Sequence, residues 1–180
     1  MKKCIATLTG LGLLAVLVYS CTSIPDGVTA VSSFDQQKYL GKWYEIARMD
    51  FKHERNLDNV TAEYSLRDDG LIKVDNKGYD YVKKEWKQSI GKAKPINSDK
   101  KEGRLKVSFF GPFYSGYNVV AIDPGYQYAL VFGDNLKYMW ILSRKPSIPD
   151  DIKREYLEKA KSVGYKIEEL VWPKHDKSQQ

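Results

Sequence analysis

Thiol and imidazole chemistry has little to work with in this chain, which holds two cysteines, Cys4 and Cys21, and two histidines, His53 and His175. Long apolar runs are missing too. The uncharged stretch from Cys4 to Tyr19 falls short of the about 20 residues a membrane-spanning helix needs. Preceded by Lys2 and Lys3, it reads as the apolar region of a signal peptide covering residues 1–20. Removing that segment discards Cys4 and lowers the formal charge from +6 to +4, because two lysines leave with it. A balance so modest, on an exported chain, argues against a nucleic-acid partner and fits contact with anionic head groups better. His53 lies in a charged loop and His175 in a polar tail. With no Gly-x-Ser-x-Gly and no His-x-His spacing, neither a hydrolase nor a metal site is expected, and we read the protein as a non-enzyme without metal or cofactor.

The junction at the end of the signal is more telling. Val18-Tyr19-Ser20-Cys21 resembles a bacterial lipobox, with a small residue before the cysteine. The resemblance implies that Cys21 becomes the first mature residue, diacylglycerol on its sulfur and a fatty acyl group such as palmitate on its nitrogen. The plainer alternative is an ordinary secretory signal in which Cys21 is incidental. Two or more acyl chains anchor a protein stably where one is marginal. With Cys4 discarded and Cys21 acylated, the mature fold has no disulfide, no thiolate metal site and no cysteine nucleophile. Residues 21–33 read as a polar tether and residues 174–180 as a flexible tail.

The 160 residues after the signal suffice for one domain with a sizeable core. Tyr dominates an aromatic content of 13%, which suits a β-rich fold whose walls need large amphipathic side chains. Strand-like segments recur at 41–48, 60–66, 71–77, 85–94, 104–109, 117–123, 128–133 and 138–144, separated by turn chemistry such as Asp69-Gly70 and Asp123-Pro124-Gly125. Eight consecutive strands with short connections predict an all-β, antiparallel up-and-down β-barrel, since closure removes exposed edges. One C-terminal α-helix is expected. Ser147 and Asp150 read as its N-terminal cap with Pro149 in the first turn; Ile152, Tyr156, Ala160 and Val163 make its apolar stripe, and Gly164 ends it. The last three strands are apolar on both sides, so the helix should pack outside them.

Gly41-Lys42-Trp43 opens the first strand and Arg144 closes the eighth, and parity puts both at one end of the barrel. Trp43 plugging that end beneath an Arg144 guanidinium would make a cation–π floor. These residues resemble the signatures of the lipocalins; the middle signature survives only as Asp123, Tyr126 and Tyr128. The match is closer still to the bacterial outer-membrane lipoprotein lipocalins, the Blc type grouped with apolipoprotein D. It is carried by Tyr39-Leu40-Gly41-Lys42-Trp43-Tyr44-Glu45-Ile46-Ala47-Arg48, by Lys106-Val107-Ser108-Phe109-Phe110-Gly111-Pro112-Phe113 and by Trp140-Ile141-Leu142-Ser143-Arg144. The resemblance implies a barrel domain over residues 34–173 and, with Thr22 rather than Asp after the lipidated cysteine, export to the outer membrane.

Strand alternation then sorts the side chains. With Trp43 inward, Glu45 and Ala47 follow it; with Arg144 inward, Leu142, Trp140 and Tyr138 do. Leu105, Val107 and Phe109, Val74 and Asn76, and Ala62 and Tyr64 complete the expected lumen. That lumen is apolar with a few polar groups and suits a fatty acid or lysophospholipid. Glu45 reads either as a polar partner for a ligand or water, or as a structural hydrogen bond near the closed end. Phe110, Phe113 and Tyr114 are expected at the open mouth, touching lipid or, as a homodimer, a second copy. A lipid carrier serving the envelope is the leading reading. An envelope scaffold and, further back, a lipid-modifying enzyme are its alternatives.

Overall fold

The computed structural model describes residues 24–97 and 100–177. The expected signal peptide and Cys21 lie outside the described residues. A one-turn helix α1 (Gln36–Tyr39) leads into β1 (Gly41–Met49), β2 (Leu57–Leu66), β3 (Ile72–Asp80), β4 (Glu85–Pro95), β5 (Arg104–Phe110), β6 (Phe113–Ile122), β7 (Tyr128–Phe132) and β8 (Met139–Ser143). Each strand pairs antiparallel with the next, and β8 and β2 both pair with β1, so the sheet closes on itself. All eight expected strands are present, with ends shifted by up to four residues.

Helix α2 (Asp150–Val163) and the short β9 (Leu170–Val171), which pairs antiparallel with the end of β1, come after the barrel. The helix stops where Gly164 adopts φ 104°, a left-handed conformation that glycine takes without steric cost. Its start differs from expectation. Pro149 occupies the cap position without a side-chain hydrogen bond, and Ser147 instead offers its carbonyl to Ser143 Oγ at 2.8 Å.

Two cores result. Inside the barrel lie Trp43, Tyr64, Val74, Leu105, Tyr117, Val131 and Leu142. Outside, Tyr156 and Ala160 of α2 cover Val120, Leu130, Phe132, Met139 and Ile141. This second core explains why β6, β7 and β8 are apolar on both faces. Tyr156 also donates its hydroxyl to the Tyr128 carbonyl at 3.0 Å, pinning the helix to β7.

Both chain ends depart from expectation. Within the expected tether, Ile24 and Val28 pack against the outer core. Val31 N–H donates to the Val119 carbonyl at 2.9 Å, and the Val31 carbonyl accepts from Gly103 N at 2.8 Å. From Ile24 onward the segment is therefore part of the domain. The tail is pinned as well. Residues 174–177 run along the seam where β1 and β2, paired only as far as Tyr44 and Thr61, separate. There Asn59 N donates to the Lys174 carbonyl at 2.7 Å, and Asn59 Oδ1 accepts from the amides of Asp176 and Lys177 at 2.9 and 2.8 Å. Hydropathy gives no sign of this docking, because the contacts are between backbone and a polar side chain.

Candidate functional site

The closed end is built from one tryptophan and one arginine. Trp43 is fully buried, and its indole N–H donates to the Tyr39 carbonyl at 2.8 Å. The Arg144 guanidinium carbon stands 3.8 Å from the indole centre. Its nitrogens reach the carbonyls of Lys38, Tyr39, Leu40, Lys42 and Tyr126 at 2.8–3.3 Å. Gly41, at φ 91°, lets the chain turn from α1 into β1 beneath that guanidinium, where a Cβ would meet Nη1 at 3.4 Å.

Above the floor three tyrosines from separate elements meet. Tyr39 and Tyr117 share a hydroxyl hydrogen bond of 2.6 Å, and Tyr64 and Tyr117 one of 2.9 Å. Burial pushes all three phenols above their ordinary value, so they stay neutral and linked. Of the three, only Tyr64 was expected inside.

The walls then rise through Ala62, Val74, Leu105, Val107 and Leu142, all in or against the inner core. Asn76, paired with Ala62 across β2 and β3, also faces inward. Ala62, Asn76, Val107 and Trp140 face inward and are only partly buried, unlike the fully packed floor below them. Phe109 packs over the inward face of Gly91, where a Cβ would clash with its ring at 2.8 Å, and borders the opening. Trp140 stacks between Tyr117 and Tyr138, at 6.3 and 6.4 Å between ring centres.

Ala47 does not belong to the lumen. The β1–β8 register runs from Glu45 opposite Leu142 directly to Ala47 opposite Ile141, so Ile46 is an inserted bulge residue. A bulge flips the parity of everything after it. Ile46 and Ala47 both join the outer core, and Arg48, which simple alternation places outside, turns inward opposite Trp140.

Arg48 is 1% exposed and forms the charged centre of the lumen. Its Nη1 donates to Glu45 Oε1 at 2.7 Å, and its Nη2 to the carbonyls of Glu54 and Leu57 at 2.6 and 3.3 Å. Glu54 comes from the loop at 50–56, which folds over the mouth. Phe51 of the same loop meets the rings of Tyr138 and Trp140 edge-on at 5.5 and 5.8 Å. Glu54 Oε2 accepts from Trp140 Nε1 at 3.0 Å. Burial, opposed by Arg48, leaves the Glu45 carboxyl raised. Burial together with the neighbouring Glu45 raises Glu54 further. Two carboxyls thus share one guanidinium, and the group retains a proton above the usual carboxylate range. Glu45 is neither isolated nor at the floor; it is half of a buried ion pair.

At the rim, Phe110 and Phe113 are 73% and 67% exposed. Tyr114, expected beside them, instead turns to the outer wall, where Lys92, Lys94 and Lys106 approach its ring within 5.6–5.9 Å. Two clefts of about 320 and 400 Å³ lie elsewhere, one against the C-terminal tail and one between Phe51 and Glu169 on the outside. Among the described residues, no group of three or more His, Cys, Asp or Glu side chains could hold a metal ion.

Residues 34–175 match the lipocalin-like domain family. The chain belongs to the lipocalins. This lipocalin is 52% identical over 162 residues to the outer membrane lipoprotein Blc of Citrobacter freundii, covering 89% of this chain and 91% of that one. It is 51% identical to the Blc of Escherichia coli K12 over 160 residues, covering 88% and 90%. Among solved structures it is similar to insecticyanin from the tobacco hornworm, with a TM-score of 0.68 over 88% of each chain at 19% identity. That likeness speaks for the fold alone.

Proposed function

We propose that this lipocalin is a lipid carrier held at the outer membrane by an acylated Cys21, taking up single-chain fatty acids or lysophospholipids and storing or moving them during envelope maintenance. One observation carries the reading: the barrel is stitched shut at one end and lined by apolar side chains around a single charged group, with inward-facing Ala62, Val107 and Trp140 only partly buried. The names of its relatives, outer membrane lipoproteins, support the location and the lipid anchor. Exposed Phe110 and Phe113 beside the mouth supply the contact through which cargo passes to or from a bilayer, or through which a second copy docks. The protein acts by binding, without turnover.

Delipidated protein carrying Cys21→Ser should bind oleate or a lysophospholipid saturably, with a change in Trp140 emission. Ala62→Trp should fill the lumen and abolish uptake while unfolding in urea as the parent does. No uptake of fatty acids, lysolipids or retinoid-like molecules by the parent would reject the reading.

A further inference from the structure

The charged group in the lumen has one carboxyl more than it needs. Arg48 is hydrogen bonded at both Nη1 and Nη2, but its buried Nε has no hydrogen-bond partner. Glu54 Oε2 stands 4.0 Å from it, too far for a hydrogen bond. The Glu54 carbonyl is itself held by Arg48 Nη2, which sets where the loop side chain hangs. Its side chain comes from a loop rather than the wall and enters the lumen from above, where Trp140 Nε1 supplies a second donor.

We propose that the seat filled by the Glu54 carboxyl, between Arg48 Nε and Trp140 Nε1, is the binding site for the carboxyl head of a fatty acid, with Glu54 as its built-in stand-in. The proposal rests on the lipid-carrier reading and adds the head-group class. A free carboxyl, unconstrained by a backbone, can approach Nε to bonding distance and place its second oxygen on the indole N–H. Below the seat, Leu142, Val107 and Ala62 line the inward wall toward the tyrosine hydroxyls, and the alkyl chain would lie along them. The retained proton favours a carboxylic head over a phosphodiester. A carboxyl can share that proton with Glu45, as Glu54 does, whereas a phosphodiester stays anionic and leaves it unused. On exchange the proton remains in the seat, and Glu54 leaves for water as a carboxylate.

Calorimetric titration of the full chain with Cys21→Ser, using oleate, oleyl alcohol and oleoyl-lysophosphatidylethanolamine, tests this. Glu54→Ala should empty the seat and tighten oleate about tenfold while changing oleyl alcohol less than about twofold. Arg48→Gln should weaken oleate by about tenfold or more, again sparing the alcohol. Should Arg48→Gln fail to fold, Glu54→Ala, which alters only a loop side chain, decides alone. Oleate unchanged by Glu54→Ala, acid and alcohol weakened equally by Arg48→Gln, or a gain in Glu54→Ala confined to the lysolipid would each overturn the assignment. In all three cases the parent still binds lipid, and the carrier reading survives. A parent that binds none of the three ligands overturns both.

Discussion

The guanidinium of Arg144 spans the floor of the barrel and ties Trp43 on β1 to the end of β8, its Nη1 hydrogen bonded to the Lys42 carbonyl at 2.8 Å and its carbon 3.8 Å above the indole. Five backbone carbonyls lose a donor if that side chain is removed, and the Tyr39 carbonyl keeps another, the Trp43 indole. Arg144→Ala should cost about 3 kcal/mol, and Trp43→Ala, which opens a buried cavity, about 3–5 kcal/mol. The two losses should be less than additive, because they act on one contact. Urea unfolding of the two single variants and the double variant measures all three values.

The bulge at Ile46 makes a separate prediction. Ala47 is fully buried in the outer core, so Ala47→Leu overpacks a site among Met49, Ile141 and Leu170. Stability should fall by about 1–3 kcal/mol with lipid affinity unchanged. A loss of affinity at unchanged stability would put Ala47 back inside the barrel.

Stability should also depend on pH in an unusual direction. Glu45 and Glu54 both bind their protons more tightly folded than unfolded, since burial raises them and, for Glu54, Glu45 adds to the rise. The folded state then holds more protons than the unfolded one as pH rises above the ordinary carboxylate range. Their contribution is full below that range and is lost as pH climbs through the raised values. Urea midpoints should decline as pH rises above the ordinary carboxylate range, and Glu54→Gln should flatten the decline. An equal slope in that variant would assign the titration elsewhere.

The tail supplies a fourth test. Deleting residues 174–180 removes the acceptor of the Asn59 amide and the two donors to its side chain. Stability should drop by about 1–2 kcal/mol, and the Asn59 amide should exchange with solvent markedly faster.

The fold was legible because its determinants are local or motif-borne. Eight strands with turn residues between them, the Trp43 and Arg144 pair, and Gly164 at the helix end all announce themselves in sequence. The outer position of α2 could be inferred from the two-sided apolarity of β6 to β8. The charged group in the upper site was not legible, and the first reason is one residue. Ile46 looks like any strand residue, so nothing in its neighbourhood reports that it is bulged, and alternation then misplaces both Ala47 and Arg48. Glu54 was hidden by its setting among Lys52, His53 and Arg55, which reads as a solvated loop. The single apolar residue there, Phe51, was the available hint that the loop turns inward. Tyr39 and Tyr117 escaped because α1 is too short to show periodicity and β6 begins four residues earlier than its pattern suggests.

The packing of Ile24 governs how the domain stands on its bilayer. If the acyl chains sit on Cys21, the leash between lipid and barrel is three residues, no more than about 11 Å at full stretch. So short a mooring would leave the barrel little freedom to drift from the bilayer and would keep the flank that carries Ile24 and Val28 within reach of the headgroups.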